Sequence, residues 1–128
     1  MKLFDMWLFL AFGLAFWIVG TLWYEVRGPR VFESSPQAYW INFILTPVLS
    51  AVICILILKW RQTPAANWSS AALLIALPGM FGEAALLSNF SRFMPHLRVE
   101  SGGKYGAFLF AAYALFLTIS EIVTVRAR

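Results

Sequence analysis

Four long apolar stretches divide the chain and leave little sequence between them. Each has about 20 residues, and a helix of that length crosses a hydrocarbon core about 30 Å thick. Only 12% of the 128 residues are charged and 61% are hydrophobic, whereas a soluble domain carries about a quarter charged residues. The sequence therefore predicts an all-α integral membrane protein with spans at about 6–24, 39–58, 68–91 and 105–125.

The connections between these spans are short and carry residues that favour turns. The turn residues are Gly28-Pro29 and Ser34-Ser35-Pro36 in the first connection, Pro64 in the second, and Pro95 with Gly102-Gly103 in the third. Short connections make consecutive helices antiparallel, so we expect one domain, residues 1–128, folded as an up-down four-helix bundle.

An even number of spans places both chain termini on the same side of the membrane. That side then holds Lys2, Lys59, Arg61, Arg126 and Arg128, and the other holds Arg27, Arg30, Arg92, Arg98 and Lys104. Because each side holds five basic residues, the positive-inside rule hardly favours either orientation. The free amine and the longer outer connections favour cytoplasmic termini in a bacterial inner membrane.

Helices in lipid are held together by close packing of small residues and by hydrogen bonds, so small residues at helical spacing predict packing faces. The candidates are Gly13 and Gly20 in the first span, Ala72, Ala76 and Gly79 in the third, and Ala107, Ala111 and Ala114 in the fourth. The partners that we expect are the lipid bilayer and other transmembrane helices, from further copies or from a larger complex. Nucleic acid is not among them, because no basic stripe is present.

Glu83 is the only ionisable side chain well inside a span. A carboxyl group near the bilayer centre costs about 2.5 to 3.5 kcal/mol on insertion scales, so Glu83 needs a partner or a function. Burial disfavours the charged form, and we expect a neutral Glu83 that donates a hydrogen bond. Counting residues from the helix ends places Trp17, Thr46 and Tyr113 at a similar depth, which predicts a polar layer able to satisfy both carboxyl oxygens. Three roles stay open: a structural hydrogen bond between helices, proton relay or substrate binding, and pairing with another subunit.

Residue types that carry catalysis or bind metals are few in this chain. His96 is the only histidine and belongs to a loop, and Cys54 is a lone cysteine within the second span. A structural metal site needs about four ligands, and no nucleophile motif or pair of catalytic carboxylates is present. We therefore expect no metal, no cofactor and no enzymatic activity.

Several short motifs are typical of a known family. They are Trp17-Ile18-Val19-Gly20-Thr21-Leu22, Leu77-Pro78-Gly79-Met80 followed by Glu83, Phe93-Met94-Pro95, Gly106-Ala107-Phe108-Leu109 and Tyr113-Ala114. With these motifs in order along most of its length, the chain resembles an uncharacterised family of small four-span bacterial membrane proteins. The resemblance implies the bundle but no activity.

The size is also similar to that of the small multidrug transporters, which use a membrane glutamate. In those proteins the glutamate lies in the first span, whereas here that span has none between Asp5 and Glu25. The likeness is therefore one of architecture alone.

Two function classes follow from the sequence. The first is a non-catalytic accessory subunit or a homo-oligomeric protein that packs against other helices. The alternative is a proton-linked carrier or sensor of a small molecule, with Glu83 as the exchanging group. A pocket open to water at Glu83 favours the carrier, and a dry Glu83 capped by Tyr113 favours the structural role.

Overall fold

A computed structural model describes all 128 residues, and its regular secondary structure consists of helices only. The helices are α1 (Leu3–Phe32), α2 (Pro36–Trp60), α3 (Trp68–Ser88), α4 (Phe90–Phe93) and α5 (Ser101–Arg126), with one 3₁₀ turn (Ala65–Asn67) before α3. All but α4 are long and apolar enough to cross a membrane, the third of these spans including the 3₁₀ turn. The predicted all-α membrane bundle is confirmed.

The long helices extend beyond the predicted spans at several ends. Ser35 caps α2 by accepting a hydrogen bond from the backbone N–H of Ala38 at 3.1 Å, and Pro36 occupies the first helical position, where its missing N–H costs nothing. The first connection is therefore only Glu33 to Ser35.

Two of the predicted turns were wrong. Gly28-Pro29 lies inside α1, because Gly28 packs closely against Leu97 and the Pro29 carbonyl still accepts a hydrogen bond from Glu33 at 3.2 Å. Gly102-Gly103 lies in the first turn of α5. The Gly102 N–H already bonds to the carbonyl of Val99 at 3.1 Å, which starts helical geometry upstream of both glycines.

Around the bundle the helices follow the order α1, α3, α5, α2. Helices α1 and α3 run parallel, since Gly13 meets Ile75 and Trp17 meets Glu83. Chain direction alternates from one long helix to the next, as predicted. The helices α2 and α3 are nevertheless diagonal neighbours, so the most extensive interface joins α1 to α3.

Two apolar clusters fill the two ends of the bundle. The first is mainly aromatic and is built from Tyr24, Phe32, Tyr39, Leu86, Phe90, Met94, Leu97, Tyr105 and Phe108. The second combines large and small residues, namely Phe9, Ala51, Cys54, Leu58, Ala71, Ala72, Ile75 and Phe116. The middle of the bundle lies between these two clusters.

Each end of the bundle has one ion pair, Asp5 with Arg61 and Glu33 with Arg98. At the end of the bundle that holds both chain termini, the Arg61 guanidinium lies 2.6 Å from the Asp5 carboxylate. At the other end Glu33 accepts hydrogen bonds from the backbone N–H of Arg98 at 2.6 Å and from the Ser101 hydroxyl at 2.5 Å. Burial acts to raise the pKa of Glu33, but these hydrogen bonds and the Arg98 charge outweigh it and lower the pKa below 4.5.

The predicted small-residue face of α3 points into the bundle, whereas that of α5 does not. Ala72, Ala76 and Gly79 are buried, but Ala107 and Ala114 are exposed and Ala111 is half-buried. The reason is that α5 places its large rings inward. These are Tyr105, Phe108 and Phe116.

The two candidate glycines of α1 differ from each other. Gly13 is buried, and a Cβ there would collide with the carbonyl of Ile75. A Cβ at Gly20 would meet nothing within 4 Å, so the prediction that Gly20 packs against another helix was wrong.

Candidate functional site

Glu83 lies on the inner face of α3 and is only 6% exposed. The indole N–H of Trp17, on α1, donates a hydrogen bond to its Oε1 at 2.7 Å. Its other oxygen, Oε2, is buried and has no hydrogen-bond partner. One of the two oxygens of this carboxyl group therefore has no partner.

Two glycines beside Glu83 create the space for its large neighbours. A Cβ at Gly82 would lie 2.5 Å from the indole ring of Trp17, and one at Gly79 would collide with the Tyr113 hydroxyl. Gly79 was predicted to pack against another helix, but Gly82 was not among the predicted packing residues. The sequence does contain a pattern that could have predicted it: two glycines three residues apart, next to an acidic residue, let other side chains approach the helix backbone.

Thr46 and Tyr113 do not bond to Glu83, and the prediction that they would satisfy it was wrong. The Thr46 hydroxyl instead donates to Oδ1 of Asn42, one turn earlier in α2, at 2.8 Å. The Tyr24 hydroxyl donates to the same oxygen at 2.7 Å. Asn42 therefore connects α1 to α2. Because the Thr46 hydroxyl bonds to Asn42, it does not bond to the carboxyl group of Glu83.

The four residues of the predicted layer nevertheless line one cavity. It has a volume of about 340 Å³ and is bounded by α1, α2, α3 and α5. Most of its wall is hydrophobic, and the lining residues that carry polar atoms are Glu83, Thr21, Thr46, Ser50, Cys54 and the aromatic residues Trp17, Tyr24, Tyr105 and Tyr113, with Trp23 at its exposed edge. Its size falls within the range of about 300 to 1,000 Å³ that is typical of small-molecule sites.

A second polar atom of the cavity wall is also without a partner. The Oγ1 atom of Thr21 is buried and makes no hydrogen bond. A buried polar group left unsatisfied costs about 1 to 3 kcal/mol. Two buried polar atoms without a partner, Glu83 Oε2 and Thr21 Oγ1, therefore belong to residues that line this cavity.

Cysteine and histidine, the usual metal ligands besides carboxylates, each occur once and lie apart. Cys54 is a free, buried thiol in the wall of the cavity, and His96 is exposed in the loop before α5. No group of three or more His, Cys, Asp or Glu residues is placed to hold a metal ion. Glu83 is thus the single acidic group of the cavity.

Residues 31–127 match a family of unknown function, DUF5367. The chain belongs to this family. The predicted resemblance to an uncharacterised family is thereby confirmed, although the first-span motif quoted for it lies outside the match. The matched part of this DUF5367 protein includes Thr46, Glu83 and Tyr113, whereas Trp17 precedes it. Comparisons with curated proteins and with solved structures found no match.

Proposed function

We propose that this DUF5367 protein binds a small, largely apolar molecule with one protonated amine inside its bundle, and acts as a carrier or sensor of that molecule. The observation that supports this most directly is the unpartnered Oε2 of Glu83 in the wall of an apolar cavity. The outcome is intermediate between the two tests that the sequence suggested. Glu83 lines a cavity but is only 6% exposed, and Tyr113 does not cap it.

Charge complementarity indicates the class of ligand. An ionised carboxylate in a low-dielectric site is costly unless a cation pairs with it and donates hydrogen bonds. The cavity wall contains no Lys, Arg or His to supply that cation. An ammonium group on the ligand fills this role, and the ligand's apolar body matches the rest of the wall.

The same group fits a proton-linked cycle. Glu83 is the only ionisable carboxyl in the cavity, so it can hold either a proton or the ligand's ammonium. An intramembrane acidic residue that exchanges the two couples ligand movement to proton movement. No second carboxyl group and no His, Lys or Arg accompanies it there, and we propose a non-catalytic role.

A binding measurement with a matched pair of probes tests this proposal. The probes are 4-bromobenzylamine and its neutral analogue 4-bromobenzyl alcohol, titrated by calorimetry into protein in lipid nanodiscs, with empty nanodiscs to correct for partitioning. A charge-assisted hydrogen bond contributes about 1.5 to 3 kcal/mol. We therefore expect Glu83→Gln to weaken amine binding by about tenfold or more and to leave the alcohol unchanged.

Glu121→Gln is the control, because Glu121 is an exposed carboxyl on α5 and is not part of the cavity. It should bind both probes as the original protein does. Equal amine affinity in the original protein and in Glu83→Gln would contradict the proposal.

The packing role is the second candidate, and one observation favours it. Ala107, Ala114 and Thr118 form an exposed small-residue face on α5, and such faces bring membrane helices together. Native mass measurement after mild extraction tests it: a dimer or larger complex that is lost in Ala114→Leu supports packing through α5, and a monomer argues against it.

We also propose a bacterial inner membrane location with cytoplasmic termini. The structure supports a shared end for the two termini. Asp5 pairs with Arg61 in the connection that follows α2, and the Thr124 hydroxyl, near the C-terminus, bonds to the carbonyl of Ala65 at 3.0 Å in the same connection.

A further inference from the structure

The cavity lies between the two packed ends of the bundle. Both bundle ends are filled: the aromatic cluster around Tyr24, Phe32 and Tyr105 occupies one, and the cluster around Phe9 and Leu58 occupies the other. The Tyr105 ring packs edge-on against Tyr24 and Phe32, with centroids 5.8 and 5.5 Å apart. Buried side chains are therefore packed at both ends of the bundle.

The seam between α1 and α2 is the loosest boundary of the cavity. These helices are joined by Tyr24 and Asn42 near one end and by Asp5 and Arg61 at the other. No side-chain hydrogen bond or ion pair connects them between these two points. Their other interfaces, α1 with α3 and α2 with α5, are much more extensive.

The exposed part of the cavity wall comes from α1. Only Val19 and Trp23 of the lining residues are exposed, with 68% and 57% of their surface free, and both belong to α1. Between them, Gly20 has open space where a side chain would begin. Thr46 and Ser50 line the cavity from α2 and are half-buried.

We infer that the ligand enters sideways from the lipid bilayer, through a window between α1 and α2 framed by Val19, Gly20 and Trp23 on one side and Thr46 and Ser50 on the other. This inference rests on the proposed function and specifies its ligand as an amine that dissolves in the membrane. Thr46 lies ten residues into α2, or about 15 Å from the helix start, which places the window at hydrocarbon depth. A ligand at this depth is in the lipid phase before it reaches Glu83.

The rate of entry tests the inference separately from affinity. The bromine of 4-bromobenzylamine quenches tryptophan fluorescence, and the part of the quenching that is lost in Trp17→Phe reports arrival beside Glu83. Stopped-flow mixing with protein in nanodiscs gives association and dissociation rates. Gly20→Leu places a branched side chain in the window, so both rates should fall about tenfold while the Kd stays within about threefold.

Two further variants make the result decisive. Gly103→Leu changes the other glycine that has open space around it, on α5 and outside the cavity, and should leave both rates unchanged. Ser50→Leu narrows the window from α2 and should slow entry as Gly20→Leu does, which keeps the test valid if one variant fails to fold.

The outcomes separate the inference from the proposed function. Unchanged rates in Gly20→Leu and Ser50→Leu, with amine binding intact, would overturn sideways entry and leave the binding role standing. Lower affinity with an unchanged association rate would also overturn it, because the new side chain would then fill the site without closing a path. A native mass spectrum in which one lipid is retained by the original protein and lost in Gly20→Leu would assign the window to an acyl chain, against the inference.

Discussion

Glu83 and Trp17 come from different helices, and each gives the other a hydrogen-bond partner at 2.7 Å. Glu83→Gln keeps an acceptor oxygen for the indole N–H and should change the free energy of unfolding by less than about 0.5 kcal/mol. Glu83→Ala leaves that N–H buried without a partner and enlarges the cavity, so we expect a loss of about 1 to 3 kcal/mol. Steric trapping in bicelles measures both.

A double-mutant cycle with Trp17→Phe identifies the cause of that loss. If the hydrogen bond is responsible, Glu83→Ala should cost less in the Trp17→Phe background than in the original protein. Equal losses for Gln and Ala, or fully additive effects, would mean that Trp17 is not the partner that matters.

The depth of the site residues could be predicted, but their bonding could not. Counting along each helix placed Trp17, Thr46, Glu83 and Tyr113 around one cavity, because the rise per residue of a helix is fixed. Which hydroxyl reaches the carboxyl group depends on local competition. Thr46 bonds to Asn42, four residues earlier on its own helix, rather than across the bundle.

At the scale of the helices, the contact between α1 and α3 depends on glycine. A methyl group at Gly13 would collide with backbone atoms of Ile75, which cannot rotate away, whereas one at Gly20 meets open space. We expect Gly13→Ala to lower the free energy of unfolding by about 1 to 3 kcal/mol. Gly20→Ala should have no cost, or a gain of up to about 1 kcal/mol from better helix propensity. Similar losses for both would show that α1 does not approach α3 through Gly13.

The Glu33 contact predicts a pH dependence at the end of α1. Its pKa lies below the ordinary value of 4.5, so ionised Glu33 stabilises the folded end at neutral pH. That stabilisation is lost as the pH falls below 4.5 toward the folded pKa. The NMR signal of the Arg98 amide, which bonds to Glu33, should titrate with a midpoint below 4.5 and should not titrate in Glu33→Gln. A midpoint at or above 4.5 would contradict the contact.

The rotation of each helix was the part of the fold that the sequence hardly specified. Hydrophobicity is nearly uniform around α3 and α5, since lipid and protein interior favour the same residues. Ala72, Ala76 and Gly79 still indicated the inner face of α3 because Glu83 lies on it. On α5 the small residues pointed to the wrong face, because Tyr105 and Phe108 fill the interior instead.

For the whole molecule, the arrangement predicts which positions are reached from each side of the membrane. Cysteines placed at Lys2, Gln62 and Ala127 should react with an impermeant maleimide from one side, and those at Ser34 and Glu100 from the other. The native Cys54 is buried and should give little background. Labelling of Lys2 and Ala127 from opposite sides would rule out the four-span bundle.

The NMR signal of the Glu83 carboxyl group shows directly whether this group receives the ligand's ammonium. The chain has five glutamates, so ¹³C labelling of their carboxyl groups gives a simple NMR spectrum in nanodiscs, and Glu83→Gln identifies the signal of Glu83. On titration with 4-bromobenzylamine, the account predicts a saturable shift of the Glu83 signal, absent with 4-bromobenzyl alcohol, while the signals of Glu25, Glu33, Glu100 and Glu121 stay in place. A Glu83 signal that does not move while the amine binds would contradict it.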